Sequence, residues 1–248
     1  PAEPRSAEPR SAERGVSRPI GIHSPVNPTF GGGQTWWSEP MQPATRALWS
    51  KQDRHSGDRR RLFRAVSAAV PARSVLYPGS FVDIAPSFVF ESVTYVDMDR
   101  RAARFFADTD GVRELIAGRA GSPPSPAVTF LHADYSTDLG LAPESFDLLV
   151  SLYAGFVSED CTQYLRRGGS LLVNSSHGDA AMATLDERYE LCGVVLSRDG
   201  DYRVSTQDLE TYLVPRHPVE ITRESLHTSG RGVAYTRSPF AYLFTRLR

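Results

Sequence analysis

The residues best suited to chemistry lie in two short segments, 74–80 and 95–99. The first is an apolar run that ends in Pro78-Gly79-Ser80, and the second ends in Asp97, which follows Gly79 by 97 − 79 = 18 positions. A strand, a glycine turn, a crossover and a second strand that ends in a carboxylate form the frame of a nucleotide site. The glycine lets the backbone approach a ligand, and the acid accepts hydrogen bonds from ribose hydroxyls.

The elements that position these residues follow from the apolar pattern. Helical spacing predicts a helix over 58–69, and Asp99 is suited to cap another helix that breaks near Gly111 and resumes to Gly118. Apolar runs without alternation are typical of parallel strands that are buried on both faces. Such runs predict strands at 74–77, 93–96, 127–131, 146–152 and 170–174. Their alternation with helices, including short ones near 86–91 and 159–165, predicts a doubly wound α/β sheet.

The last third of the chain has a different pattern. Strand-like runs at 191–196, 202–205, 233–236 and 240–245 have hairpin spacing, and Asp199-Gly200 is a good two-residue turn. A helix over 222–228 separates two of them. We therefore expect a mostly parallel, Rossmann-like sheet that finishes with antiparallel strands.

The N-terminal region has its own composition. Residues 1–18 repeat a Pro-, Ala- and Glu-rich unit, which predicts a disordered tail. Residues 19–56 form an arm or lid in this interpretation, and the compact domain spans 57–248. Three glycines precede Trp36 and Trp37, an arrangement suited to a flap that closes over a ligand. An arm that packs both tryptophans onto the domain for stability is the alternative.

Composition excludes several classes of function. The chain has 28 basic and 29 acidic residues, so the basic footprint of a nucleic-acid binder is missing. No apolar run is long enough to predict a membrane span, and the two cysteines predict no disulfide framework, so we expect a cytoplasmic protein. The scattered histidines predict no metal site.

In order, these segments resemble the class I S-adenosylmethionine-dependent methyltransferases over roughly residues 62–248. The glycine turn and Asp97 match the family's first two strands. Segment 130–135 looks like the third, whose closing Asp, here Asp134, usually faces the adenine. Segments 144–151 and 165–173 match the fourth strand and the entry to the fifth.

The resemblance implies S-adenosylmethionine as cofactor. The residues that it assigns to cofactor binding are Pro78, Gly79, Ser80, Asp97, Met98, Asp134, Tyr135 and Ser151. The first loop departs from the family pattern of three spaced glycines after an acid. Tyr77 stands at the position of that acid, and Phe81 and Asp83 stand where small residues are usual. Either the cofactor binds with a local rearrangement, or the site has lost it.

Three functions follow as hypotheses. The first is an enzyme that transfers a methyl group to a small-molecule acceptor, with Tyr153 and His177 as candidate catalytic residues beyond the fourth and fifth strands. Trp36 and Trp37 would line the acceptor site as part of a lid. The alternative is a catalytically inactive methyltransferase-like fold that binds a ligand or a protein. A nicotinamide-dependent Rossmann enzyme is disfavoured because its glycine pattern is missing.

Overall fold

The computed structural model describes residues 20–22 and 40–248, with side chains for 40–248. Trp36, Trp37 and the predicted tail therefore lie outside the described residues, and their roles stay predictions. Among the described helices, none is long and apolar enough to cross a membrane.

One mixed sheet of nine strands forms the centre of the described part of the chain, in the order β1-β4-β3-β2-β5-β6-β9-β7-β8. Strands β2 to β6 are mutually parallel, whereas β1, β7, β8 and β9 pair antiparallel with their neighbours. The strands are β1 (Ile20–Ile22), β2 (Ser74–Pro78), β3 (Ser92–Val96), β4 (Ala127–Leu131), β5 (Phe146–Ser151), β6 (Leu165–Val173), β7 (Tyr189–Arg198), β8 (Asp201–Ser205) and β9 (Ala241–Arg246). The predicted fold class is confirmed.

The helices cover both faces of this sheet. They are α1 (Pro43–Gln52), α2 (Asp58–Ala69), α3 (Arg100–Ala107), α4 (Thr109–Ala117), α5 (Val157–Asp160), α6 (Asp179–Leu185) and α7 (Arg223–Ser229), with 3-10 turns at Ala85–Phe88, Thr162–Tyr164 and Leu209–Leu213. Asp99 caps α3 as predicted, since its Oδ1 accepts the Arg101 N–H at 2.7 Å. Asp108 caps α4 by accepting the Gly111 N–H at 3.1 Å, which explains why the helix breaks there.

Aromatic side chains fill the core on the face covered by α1 to α4. Phe106 stacks on Phe130 with ring centroids 4.5 Å apart, and Tyr95 lies 5.0 Å from Phe106. Trp49 of α1 joins this core through Phe88. The predicted domain start at residue 57 therefore falls inside a packed region, because the preceding helix already contributes to the core.

The structure corrects two of the sequence-based boundaries. The run at 233–236 is not a strand: it forms one bridge, between Pro215 and Tyr235, and Tyr235 packs its ring against Tyr242 instead. The helix predicted at 159–165 ends at Asp160, and a 3-10 turn leads into β6 at Leu165. Gly168 and Gly169, which follow the predicted helix in the sequence, lie inside β6.

Candidate functional site

The sheet has a topological switch point between β2 and β5. The chain runs from β2 outward through β3 to β4 and then returns to β5 on the other side of β2. Connections therefore diverge at the carboxyl ends of β2 and β5, which is where open α/β sheets bind ligands. The loop 79–83 follows β2, and the loop 152–156 follows β5.

These two loops touch at Gly79. Gly79 has a φ of +66°, and a Cβ built on it would lie 2.8 Å from the Cβ of Ala154. Its N–H donates to the Val96 carbonyl at 2.8 Å, which ties the loop to the end of β3. Glycine is therefore required here by both backbone conformation and close approach.

Gly79→Ala is expected to lower the free energy of unfolding by about 2–4 kcal/mol, because a left-handed alanine and an overpacked contact each cost about 1–3 kcal/mol. The matched control is Gly140→Ala, whose φ is +64° and whose added Cβ would meet no atom within 4 Å. It should lose only about 1 kcal/mol in urea titrations. Adding Ala154→Gly to Gly79→Ala should recover the stability that Gly79→Ala loses beyond Gly140→Ala. Equal losses in the free energy of unfolding for the two glycine variants would contradict the close contact between Gly79 and Ala154.

Asp97 organises the glycine loop. Its Oδ2 accepts the Phe81 N–H at 2.7 Å, and its Oδ1 accepts the Asp99 N–H at 2.8 Å. Phe81 takes a left-handed φ of +48°, so the backbone turns at the position where small residues were expected. Each carboxylate oxygen keeps a further lone pair, because an ionised carboxylate offers about four acceptor sites.

Asp83 is a buried ion-pair residue. Its Oδ2 lies 3.1 Å from Nε of Arg59 on α2 and accepts the Tyr77 hydroxyl at 3.2 Å. Burial raises the pKa of Asp83, and the Arg59 guanidinium offsets part of that shift. Asp83 is therefore not a free carboxylate for a ligand ammonium group. Sequence reasoning missed Arg59, and no local spacing connects it to the loop.

The residues at the ends of β3 and β4 form a shared edge. Met98 is 67% exposed, and its carbonyl lies 3.0 Å from Nε2 of His132. Asp134 Oδ1 accepts from the N–H and the hydroxyl of Ser136. Asp97 and Met98 directly follow β3, and His132 and Asp134 follow β4, the parallel neighbour of β3.

Two of the predicted cofactor residues have other contacts. The Tyr135 hydroxyl accepts the Gly155 N–H at 3.0 Å, which links the end of β4 to the loop after β5. The Ser151 hydroxyl is buried and donates to Asp179. Its side chain is therefore committed to the protein interior, whereas Tyr135 lies between the two loops.

The structure brings the candidates Tyr153 and His177 into one network. Asn174 Oδ1 accepts the Tyr153 N–H at 3.2 Å and the Ser176 hydroxyl at 2.9 Å, and Ser176 Oγ lies 2.8 Å from Nδ1 of His177. Which atom donates between Ser176 and His177 depends on the tautomer of the imidazole ring. Tyr153 is 56% exposed at a left-handed φ of +59°.

A cleft of about 560 Å³ opens beside these loops. Phe81 and Tyr153 form one wall, and the end of α1 with the following turn forms the other. The lining residues are Leu48, Lys51, Gln52, Asp53, Arg54, His55, Asp58, Arg59, Phe81, Arg101, Tyr153 and Phe240. Its volume is in the range of small-molecule sites.

No protein-family model and no curated protein matches the chain. Among solved structures, an O-methyltransferase from Bacillus cereus in complex with S-adenosylhomocysteine is 11% identical, with 66% of this chain and 89% of that chain covered and a TM-score of 0.44. An O-methyltransferase of tomaymycin synthesis from Streptomyces achromogenes, in complex with S-adenosylmethionine, is 15% identical over 66% and 87%, with a TM-score of 0.41.

The fold follows from this chain's own strand order. Parallel strands β2 to β6, reversed at the β2–β5 switch point and completed by antiparallel β9 and β7, form a doubly wound, Rossmann-like sheet. This fold defines where a ligand would bind, and the residues at that edge decide what it does.

Proposed function

We propose that this protein binds S-adenosylmethionine at the carboxyl edge of the sheet and transfers its methyl group to a small-molecule acceptor. The supporting observation is the pair of acids Asp97 and Asp134, which follow the adjacent parallel strands β3 and β4, together with the exposed side chain of Met98. Next to them, the β2–β5 switch point opens into a cleft large enough for an acceptor.

The residues at this edge fit the nucleoside half of the cofactor. Asp97 would hold the ribose hydroxyls with its remaining lone pairs, Asp134 would face the adenine, and Met98 would pack on the ring. The amino-acid half meets a different environment, because Tyr77 is buried and Asp83 is paired with Arg59. Gly79 would allow backbone approach, and the cofactor, when bound, supplies an electrophilic methyl group.

The protein's part in transfer is then mainly alignment. Tyr153 lies at the junction of the cleft and the edge, and the Asn174 side chain fixes its backbone. If the acceptor is a hydroxyl, the His177 imidazole would take its proton, and the contact of its Nδ1 with Ser176 Oγ at 2.8 Å would orient the ring. Exclusion of water would come from the loop 152–156 and from the predicted lid.

Calorimetric titration with S-adenosylmethionine and S-adenosylhomocysteine tests the proposal. Both should bind, and Asp97→Asn and Asp134→Asn should each weaken binding about 10- to 100-fold, because a hydrogen bond to a charged acceptor contributes about 1.5–3 kcal/mol. The control Glu187→Gln changes an exposed acid that pairs with Arg248 and should bind as the wild type does.

Three results would decide against the proposal. Failure of both compounds to bind at about millimolar concentration would show that the protein does not use S-adenosylmethionine as a cofactor. Binding without transfer to any acceptor in a broad screen would favour the alternative of an inactive, ligand-binding fold. Unchanged affinity in both acid variants would place the cofactor elsewhere.

A further inference from the structure

Two cationic side chains in the cleft beside Tyr153 have no partner among the described residues. Lys51 and Arg54 line it, and neither side chain forms a hydrogen bond or ion pair with any residue of 40–248. Both lie at the end of α1 and in the turn that follows it, and both are exposed. Each therefore presents an uncompensated positive charge to the cleft.

The acids of the same cleft are already engaged. Asp53 accepts the Gly57 N–H at 2.6 Å and pairs with Arg119. Asp58 accepts the Tyr202 hydroxyl at 2.9 Å and lies 3.6 Å from Arg61. Neither acid neutralises Lys51 or Arg54, so the local charge of the cleft is positive although the whole chain has a net charge of −1. A concave surface with an excess of positive charge concentrates anionic ligands.

The other two cations in the cleft, Arg59 and Arg101, contact acids and aromatic rings of the cleft wall. Arg59 pairs with Asp83, and its guanidinium carbon lies 5.2 Å from the centre of the Tyr153 ring. Arg101 pairs with Asp99 and lies 5.0 Å from the centre of the Phe81 ring. These contacts hold two aromatic rings at the cleft wall, where they offer a planar ligand a surface for stacking.

We infer that the acceptor is a small anionic aromatic molecule, whose carboxylate or phosphate binds Lys51 and Arg54 and whose ring lies against Phe81 and Tyr153. This inference rests on the proposed function, because the bound anion is a methyl acceptor only if the protein transfers methyl groups. The cleft reaches Tyr153 at the end of β5, so a molecule held in this way has its far end at the switch point, beside the edge assigned to the cofactor.

Matched pairs of probes test the inference. 4-Hydroxybenzoate is compared with 4-hydroxybenzamide, and phenyl phosphate with phenol, by ligand-observed NMR titration. Each anion should bind at least about tenfold more tightly than its neutral partner. The advantage should disappear in Lys51→Ala/Arg54→Ala and persist in Arg64→Ala/Arg203→Ala, which removes the same charge from exposed positions outside the cleft lining.

Lys51 provides an independent readout, because it is the only lysine of the sequence. Acetylation of Lys51 by acetic anhydride, followed by peptide mass spectrometry, should slow at least about fivefold when either anion is present, since a bound anion shields the amine. Neutral partners should give no protection.

Several outcomes would overturn the inference: equal binding of the neutral probes, equal losses in both double variants, or no protection of Lys51. S-adenosylmethionine should bind Lys51→Ala/Arg54→Ala as it binds the wild type; a loss there would assign the two cations to the cofactor's own carboxylate and also overturn it. If the wild type binds the anions but not S-adenosylmethionine, the anion site is supported and the proposed methyl transfer is wrong.

Discussion

Arg59→Met is expected to lower the free energy of unfolding by about 3–5 kcal/mol at pH 7, because it leaves the buried Asp83 carboxylate without its cation. Asp83 is 1% exposed, and its remaining partners are the Tyr77 hydroxyl and the Ala85 N–H. Methionine keeps most of the side-chain volume, so the loss reports the charge. Urea denaturation of both proteins measures it.

The loss should shrink at acidic pH. Burial already raises the pKa of Asp83 above its usual value, and removal of Arg59 raises it further. An acid whose pKa is raised in the folded state binds its proton more tightly there than in the unfolded state. Its unfavourable contribution to stability therefore vanishes below the unfolded pKa and grows as pH rises. The difference between the two proteins should therefore be smallest near pH 4 and increase toward neutral pH.

Two controls separate this pair from ordinary surface charge. Arg198 pairs with Asp199 at 3.6 Å, but their side chains are 94% and 91% exposed, so Arg198→Met should change stability by less than about 0.5 kcal/mol. Arg59→Met/Asp83→Asn removes both charges and should recover at least half of the loss. A loss below about 1 kcal/mol for Arg59→Met alone would show that Asp83 does not depend on its partner.

The fold was predictable because its elements have local signals. The strand at 127–131 and the helix at 58–69 have the predicted bounds, since long apolar periodicity and flanking prolines or glycines define them. The antiparallel hairpin around Asp199-Gly200 also forms as predicted, with both residues at positive φ. The helix α1 was missed because its prediction depends on Trp49 packing against Phe88, a contact between residues far apart in sequence.

The candidate site was predictable only in part, for the same reason. Asp97 and Asp134 could be selected as candidates from the sequence because each closes an apolar run. The pairing of Arg59 with Asp83 and the commitment of Ser151 to Asp179 are tertiary contacts that no spacing encodes. Met98 is 67% exposed, so its side chain is not part of the core.

Asp179 is a second buried acid, and it makes stability depend on pH in a different way. It is 1% exposed, and it accepts the Ser158 N–H at 3.1 Å as well as the hydroxyls of Ser151 and Ser158. Burial is the largest effect and raises its pKa to about 6, although these hydrogen bonds lower it. The folded state therefore holds this proton over a pH range where the unfolded state has released it.

Asp179→Asn is accordingly expected to stabilise the protein at neutral pH and to be nearly neutral at pH 4. The folded pKa of about 6 lies above the ordinary value of 3.8, so wild-type stability falls as pH rises between these values, by about 3 kcal/mol at 1.36 kcal/mol per pKa unit. Asparagine is uncharged and does not titrate, yet it can still accept from Ser158 and donate to the Ser151 oxygen.

Urea denaturation of both proteins at several pH values between 4 and 7.5 measures this difference. Asp199→Asn, at a 91% exposed acid, should show no pH-dependent difference from the wild type. Asp179→Ala should lose about 1–3 kcal/mol even at pH 4, because it leaves the buried Ser158 N–H without an acceptor. A pH-independent difference between Asp179→Asn and the wild type would mean that Asp179 is ionised in both states across this range, and that its three donors outweigh its burial.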